Sequence, residues 1–192
     1  MNEAMTNAEA SKYLLERLDT IEKKLDSIFY YSEGEDLLKT GATGTWNVLE
    51  VFFHINLLNE SYLDQFPKAL QKAKKADTSA IKRSWIGKKL EQACLLDVND
   101  MPIKYSKTPQ ATDPKAKQKA GFAVVEKVIF QELVQDLREI RNYAKLLDSK
   151  NLDQIKVKTL LPIVKVSMAD ALFIMLEHTN RHIVQASRIL KS

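Results

Sequence analysis

Tyr13, Leu14, Leu18, Ile21, Leu25 and Ile28 recur in steps of three and four, and this spacing constrains the fold more than any other feature of the chain. Such steps gather side chains on one stripe of an α-helix and would scatter them over both faces of a strand. The stripe predicts a first helix from about Asn7 to Tyr31, broken by SEGED and TGATGT. A second helix is announced by its start. Asn47 can cap, Glu50 three residues on completes a capping box, and Trp46 and Val51 flank the pair as a hydrophobic staple. Phe52, Ile55, Leu58, Tyr62 and Phe66 carry it to Pro67, with basic residues extending it to about Lys75. A third helix fits residues 117–147, with Val124, Val128, Leu133, Leu137, Ile140 and Leu147 along it. A fourth starts at Ser167, has Asp170 at its N3 position and reaches about Leu190. No stretch reads as a convincing strand.

These four patterns predict an all-α fold: a four-helix bundle, one domain over residues 1–192, with a long crossover between helices two and three. That connection, roughly 77–116, holds SWIGKKLEQACLL, which suits a short helix, and the Pro-punctuated loop MPIKYSKTPQATDPK. A structureless connection of this length is unusual inside a compact domain and is often functional. It also lets helices two and three be other than antiparallel neighbours. SKNLDQIKVKTLLPIVKV, before helix four, is expected to pack as extended chain.

Several function classes lack their sequence signals. Five glycines in 192 residues, with neither GxGxxG nor GxxxxGK[ST], give no support to dinucleotide or P-loop phosphate binding. Cys94 is the one cysteine, so an internal disulfide and a CxxC site are excluded. The N-terminal stretch has no basic start followed by an apolar block, and no apolar run approaches the ~20 residues that span a bilayer. A cytoplasmic location without membrane contact is the expectation. Charge is uneven: thirteen Lys/Arg against five Asp/Glu between Lys68 and Lys119 leave this stretch at +8 and the remainder at −4. Such a patch can face phosphates. Solvated helix ends and loops have the same composition, and the aromatics that would stack on single-stranded bases are missing. Nucleic acid is not an expected partner.

The chain has three histidines, and all lie in apolar helical stretches: His54 in EVFFHINLL, His178 and His182 in LEHTNRHIVQ. Four residues separate His178 from His182, about 40° around a helix and roughly 6 Å along it, which lets two imidazoles converge on one ion. Ala171, Ile174, Met175, Gln185 and Ile189 share their sector, whereas Glu177, Asn180, Arg181 and Arg188 fall on the other side. His54 lies on the line of Glu50, Leu58 and Ser61. One histidine from one helix and an i,i+4 pair from another can supply three nitrogens and leave a position for water or substrate, the arrangement of catalytic zinc. The competing reading is three core histidines, each hydrogen-bonded to its own neighbour. Thr179 after His178 rules out HExxH, so this helix brings no metalloprotease base.

TWNVLEVFFHINLLNESYL and SMADALFIMLEHTNRHIVQASRIL resemble two helices of the DinB/YfiT-like superfamily, where a Trp opens a helix with the first metal histidine and the last helix carries a His, then Arg-His, then Gln. SWIGKKL and IKYSKTPQATDP also resemble the long crossover of its DinB-like branch. The resemblance implies a four-helix bundle, often a homodimer, with a divalent metal held by His54, His178 and His182. It implies relatedness to bacillithiol S-transferases, a mycothiol-dependent maleylpyruvate isomerase and metal hydrolases. Zinc or nickel is the foremost metal, and iron or manganese also suits imidazole. Such an ion would activate a thiol or a water against a small-molecule substrate, with a low-molecular-weight thiol as cosubstrate in the first case. The alternative is a non-catalytic, metal- or ligand-binding dimeric stress protein. No catalytic side chain beyond the metal set is assigned.

Three further residues are candidates around the site. Glu50, one turn before His54, can orient that imidazole or only complete its capping box. Gln185 can bond a ligand or a histidine nitrogen, or serve a buried structural contact. Arg181 can attract a substrate carboxylate or form a surface ion pair. Trp46 is expected to pack in the core, Trp85 to anchor a loop over one mouth of the site, and Cys94 to act as a small apolar residue.

Overall fold

The computed structural model describes residues 5–32, 34–41, 46–76, 80–104 and 107–192. Parts of SEGED, TGATGT, the 77–116 connection and IKYSKTPQATDP, namely residues 33, 42–45, 77–79 and 105–106, lie outside them. Among the described residues the chain is mostly helical, and no helix is long and apolar enough to cross a membrane.

Helix α1 (Asn7–Tyr31) begins with a full capping box between Thr6 and Glu9 and buries the predicted stripe of Leu14, Leu18, Ile21, Leu25 and Ile28. Tyr13 sits at its edge, 38% exposed. Helix α2 (Val48–Leu63) starts as its sequence specifies: Asn47 Oδ1 accepts from the Glu50 N–H at 2.8 Å, and Glu50 Oε2 accepts from the Asn47 N–H at 3.0 Å. Val51 is fully buried and Trp46 packs against the core.

The expectation that α2 continues to Lys75 fails at Pro67. A proline has no N–H for the carbonyl of residue i−4, and its ring collides with that carbonyl. Residue i−4 is Leu63, where α2 ends; Pro67 instead occupies the first turn of a short α3 (Phe66–Leu70). Helix α4 (Trp85–Gln92), capped by Ser84, matches the short helix read in SWIGKKLEQACLL.

The predicted third helix is two helices. Asp113 caps α5 (Pro114–Lys119), Gly121 then turns the chain at φ +93°, and α6 (Glu126–Leu146) begins afresh. That φ is open to glycine and strained for other residues. The core face of α6 is Ile129, Leu133, Leu137, Ile140 and Ala144; Val128 is exposed and lies off it, while Val124, ahead of the helix, is partly buried against the core. The segment before the last helix is also more ordered than extended chain. Strands β1 (Lys156–Lys158) and β2 (Lys165–Ser167) pair antiparallel, Val157 opposite Val166, and correct the reading that no strand is present.

Helix α7 (Met168–Lys191) is capped by Ser167. Residues 168–180 are buried on every side, which the helical wheel does not anticipate. Glu177 and Asn180, expected on a solvent face, meet α1. Glu177 accepts from Arg17 Nε at 3.0 Å, Arg17 Nη2 at 2.9 Å and the Tyr13 hydroxyl at 3.3 Å, and Asn180 Oδ1 accepts from Lys24 Nζ at 3.2 Å. Their partners make burial tolerable, since a buried charge must be paired and hydrogen-bonded.

Helices α1 and α2 each pack against both α6 and α7. Contact pairs give their directions. Phe29 meets Phe130 while Arg141 reaches Asp19 and Glu22, so α1 and α6 are antiparallel. Asn56 bonds the Ile129 carbonyl, Asn59 lies beside Asp136, and Phe66, just past the end of α2, meets Tyr143, so α2 and α6 run parallel. Tyr13 stacks on Phe173 and Lys24 bonds Asn180, so α1 and α7 are parallel as well.

Candidate metal centre

The three histidines come together. His54 from α2 and His178 and His182 from α7 are 4%, 7% and 9% exposed, with ring centroids 4.4–4.8 Å apart. Their nearest nitrogens all lie within 4.8 Å of one another, and His54 Nε2 is 3.0 Å from His178 Nε2. Among the described residues, this is the group of three or more His, Cys, Asp or Glu side chains able to hold a metal ion.

Outer hydrogen bonds set the tautomers. His54 Nδ1 is 2.7 Å from the Thr112 carbonyl, which can only accept. The proton therefore sits on Nδ1 and the Nε2 lone pair faces the cluster. His182 Nδ1 is 2.8 Å from Gln185 Oε1, which fixes the same tautomer and turns its Nε2 inward. Metal-binding histidines in general donate their outer N–H to a carbonyl or carboxylate in this way. His178 Nδ1 is buried with no hydrogen-bond partner. The Trp46 ring covers His54, with centroids 4.8 Å apart.

All three imidazoles are neutral at pH 7. Burial pushes the His54 pKa down to about 4, although the Thr112 carbonyl opposes the shift. His178 falls well below the usual histidine range through burial, then through the His182, His54 and Arg181 charges. His182 is lowered likewise by burial and by His54, against the pull of Gln185. Neutral imidazole is the form that binds a cation. The donor set therefore fits a divalent ion: two lone pairs are aimed inward, a third nitrogen lies beside them, and no proton need leave at neutral pH.

The surrounding candidates divide. Gln185 holds His182, one of its two expected roles. Glu50 does not orient His54. Its carboxylate is occupied by the Asn47 cap and by Gln118 Nε2 at 3.0 Å, and the 3-10 turn Gln110–Thr112 supplies the His54 partner instead. Arg181 Nη1 donates to the carbonyls of Ala93 at 2.8 Å and Lys104 at 2.9 Å, tying these two residues to α7. Trp85 opens α4 rather than sitting in a loop and is 74% exposed; α4 meets α7 at Asp170, two turns before His178. Cys94 donates to the Leu90 carbonyl at 3.4 Å, and burial raises its thiol to about 12, so it is no ready nucleophile.

Sequence reasoning missed the Thr112 carbonyl. A backbone acceptor 58 residues from His54 has no local signature, and only the packing of the Gln110–Thr112 turn onto α2 discloses it. No family model, curated protein or solved structure matches this chain. Fold and site together define a mostly helical protein with a buried three-histidine cluster that could hold a metal ion.

Proposed function

We propose that the chain is a DinB/YfiT-like four-helix bundle, and that His54, His178 and His182 hold a divalent metal used on a small-molecule substrate. Two observations support the bundle reading. Four long helices pack as a ring, and the parallel pair α2 and α6 is joined by the 64–125 segment, which serves as the crossover. The metal reading rests on one observation: three neutral imidazoles meet between α2 and α7, two of them, His54 and His182, with their lone pairs turned inward.

A bound zinc or nickel ion would supply Lewis acidity, favouring thiolate or hydroxide at neutral pH. The chain's own groups do the rest. Thr112 and Gln185 hold two imidazoles in the binding tautomer, and Trp46 shields His54. With three protein nitrogens, no fourth histidine in the sequence and no Cys, Asp or Glu joining the group among the described residues, a position remains for a thiol, a water or the substrate. We read the activity as thiol S-transfer or hydrolysis, with homodimer assembly as in the resembling family.

Elemental analysis of tag-free protein tests the metal reading. About one equivalent of metal is expected in the native sequence and a loss in His54→Ala and His178→Ala. Absence of stoichiometric metal after zinc, nickel and manganese are offered would overturn it. Thiol addition to electrophiles that a chelator abolishes would mark a transferase; thiol-independent turnover with the same sensitivity would mark a hydrolase.

A further inference from the structure

A second group of buried oxygen donors lies between α2 and α6, on the side of α2 turned away from the histidines. Asn59 is five residues from His54, about 140° around the helix. Asn56, Asn59 and Glu60 are spaced i, i+3, i+4 on α2, and Glu132, Asp136 and Glu139 are spaced i, i+4, i+7 on α6, so each triplet forms one stripe. The stripes face each other: Asn56 Nδ2 donates to the Ile129 carbonyl at 2.9 Å and to Glu132 Oε2 at 3.3 Å.

The seam is unsatisfied where it is deepest. Asn59 is fully buried and neither its Oδ1 nor its Nδ2 has a hydrogen-bond partner. Asn56 Oδ1 and Asp136 Oδ2 are buried and unpartnered too. Orphaned groups of this kind call for an occupant, because leaving each one dry costs about 1–3 kcal/mol. A water could serve the amides, but it does not offset charge. Burial raises the Asp136 carboxyl to about 7; Asn59 lies near enough to favour its charged form without reaching hydrogen-bond geometry, whereas Glu139, Glu132 and Glu60 oppose that form. No base enters that balance.

We propose that this seam binds a hard divalent cation, calcium or magnesium, through the Asp136 carboxylate and the amide oxygens of Asn59 and Asn56, with Glu132 at the solvent edge. Oxygen-only donors, carboxylate and amide together, are the ligands these ions take, and they distinguish the seam from the nitrogen-only histidine cluster. The ion would fasten α2 to α6, and the assignment does not depend on the histidine cluster holding a metal.

The test compares the native protein, His54→Ala and Asp136→Asn after exhaustive chelation and dialysis. Calcium and magnesium are added separately and read by thermal midpoint and by titration calorimetry. Expected are one equivalent bound and a midpoint rise of about 3–6 °C at ten times Kd in the native protein and in His54→Ala. Asp136→Asn, which keeps the side-chain shape, should lose both. Should neither cation bind or shift the native protein at millimolar concentration, the seam holds only water and the proposal is overturned. An effect that persists in Asp136→Asn, or vanishes in His54→Ala, overturns it equally.

Discussion

Gly87 is the position where one added methyl should do the most damage. It lies on α4 against α7, and a Cβ built there would fall 2.5 Å from each carboxylate oxygen of Asp170, far inside van der Waals contact. Asp170 cannot step aside cheaply. It is fully buried and accepts from Arg83 Nε at 2.5 Å, the Ser84 N–H at 3.2 Å and the Ser84 hydroxyl at 2.6 Å; the same hydroxyl caps α4 by accepting from the Gly87 N–H at 3.0 Å. Two responses to Gly87→Ala bound its cost. If α4 lifts off and the ion pair survives, the loss is that of overpacking, about 1–3 kcal/mol. If the carboxylate loses its partners, the loss approaches the 3–5 kcal/mol of a broken buried pair. Taking about 3 kcal/mol, and about 2–4 °C per kcal/mol for a chain of this size, the midpoint should fall by roughly 6–12 °C. Thermal unfolding followed by circular dichroism measures this, and limited proteolysis of the 80–113 segment reports whether α4 has lifted. A variant melting within 1 °C of the native protein would refute the close approach and the clamping role assigned to it.

Three further outcomes follow from the site and the seam. Gln185→Ala should weaken metal binding by about 10- to 100-fold, the usual effect of losing a group that orients a ligand, measured by competition with a chromophoric chelator. The histidines should make metal-free protein lose stability in acid: the unfolded chain takes up protons below about pH 6.5 that the buried rings refuse. The fall from His54 alone, lowered to about 4, should total about 3 kcal/mol between pH 6.5 and 4, read by urea denaturation. Asp136 has the opposite sign. Its carboxyl is raised to about 7, so the folded state holds a proton that the unfolded state releases above about pH 4, and stability falls as pH rises from there to 7. In chelated buffer Asp136→Asn should therefore stabilise the protein more at pH 7 than at pH 5, and in that background the histidine-driven slope should stand out.

Helix starts were legible because their signals are local. The Asn47–Glu50 and Ser167–Asp170 pairs sit three residues apart, and α2 and α7 begin where those spacings demand. The stripe of α1 was equally plain. Helix breaks were less so. Pro67 and Gly121 each interrupt an apolar rhythm that continues past them, and a wheel drawn through Gly121 put Val128 on a core face it does not occupy. The burial of Glu177 and Asn180 could not be read at all, since it depends on Arg17, Tyr13 and Lys24 of a helix some 160 residues away.

The divide at the site has the same origin. Residue type and the i,i+4 step determined that His178 and His182 share one face of a helix and that His54 projects from the apolar part of another. Whether three rings from two helices would meet was a question of how α2 and α7 pack, and the tertiary structure decided it, bringing His54 to 3.0 Å from His178. It also decided the tautomers of His54 and His182, through the Thr112 carbonyl and Gln185, and it joined Glu50 to Gln118 and Arg181 to the Ala93 carbonyl. Periodicity and capping are properties of neighbours along the chain, and sequence carries them. The convergence of lone pairs and the pairing of buried charges belong to neighbours in space, which exist only once the helices have packed.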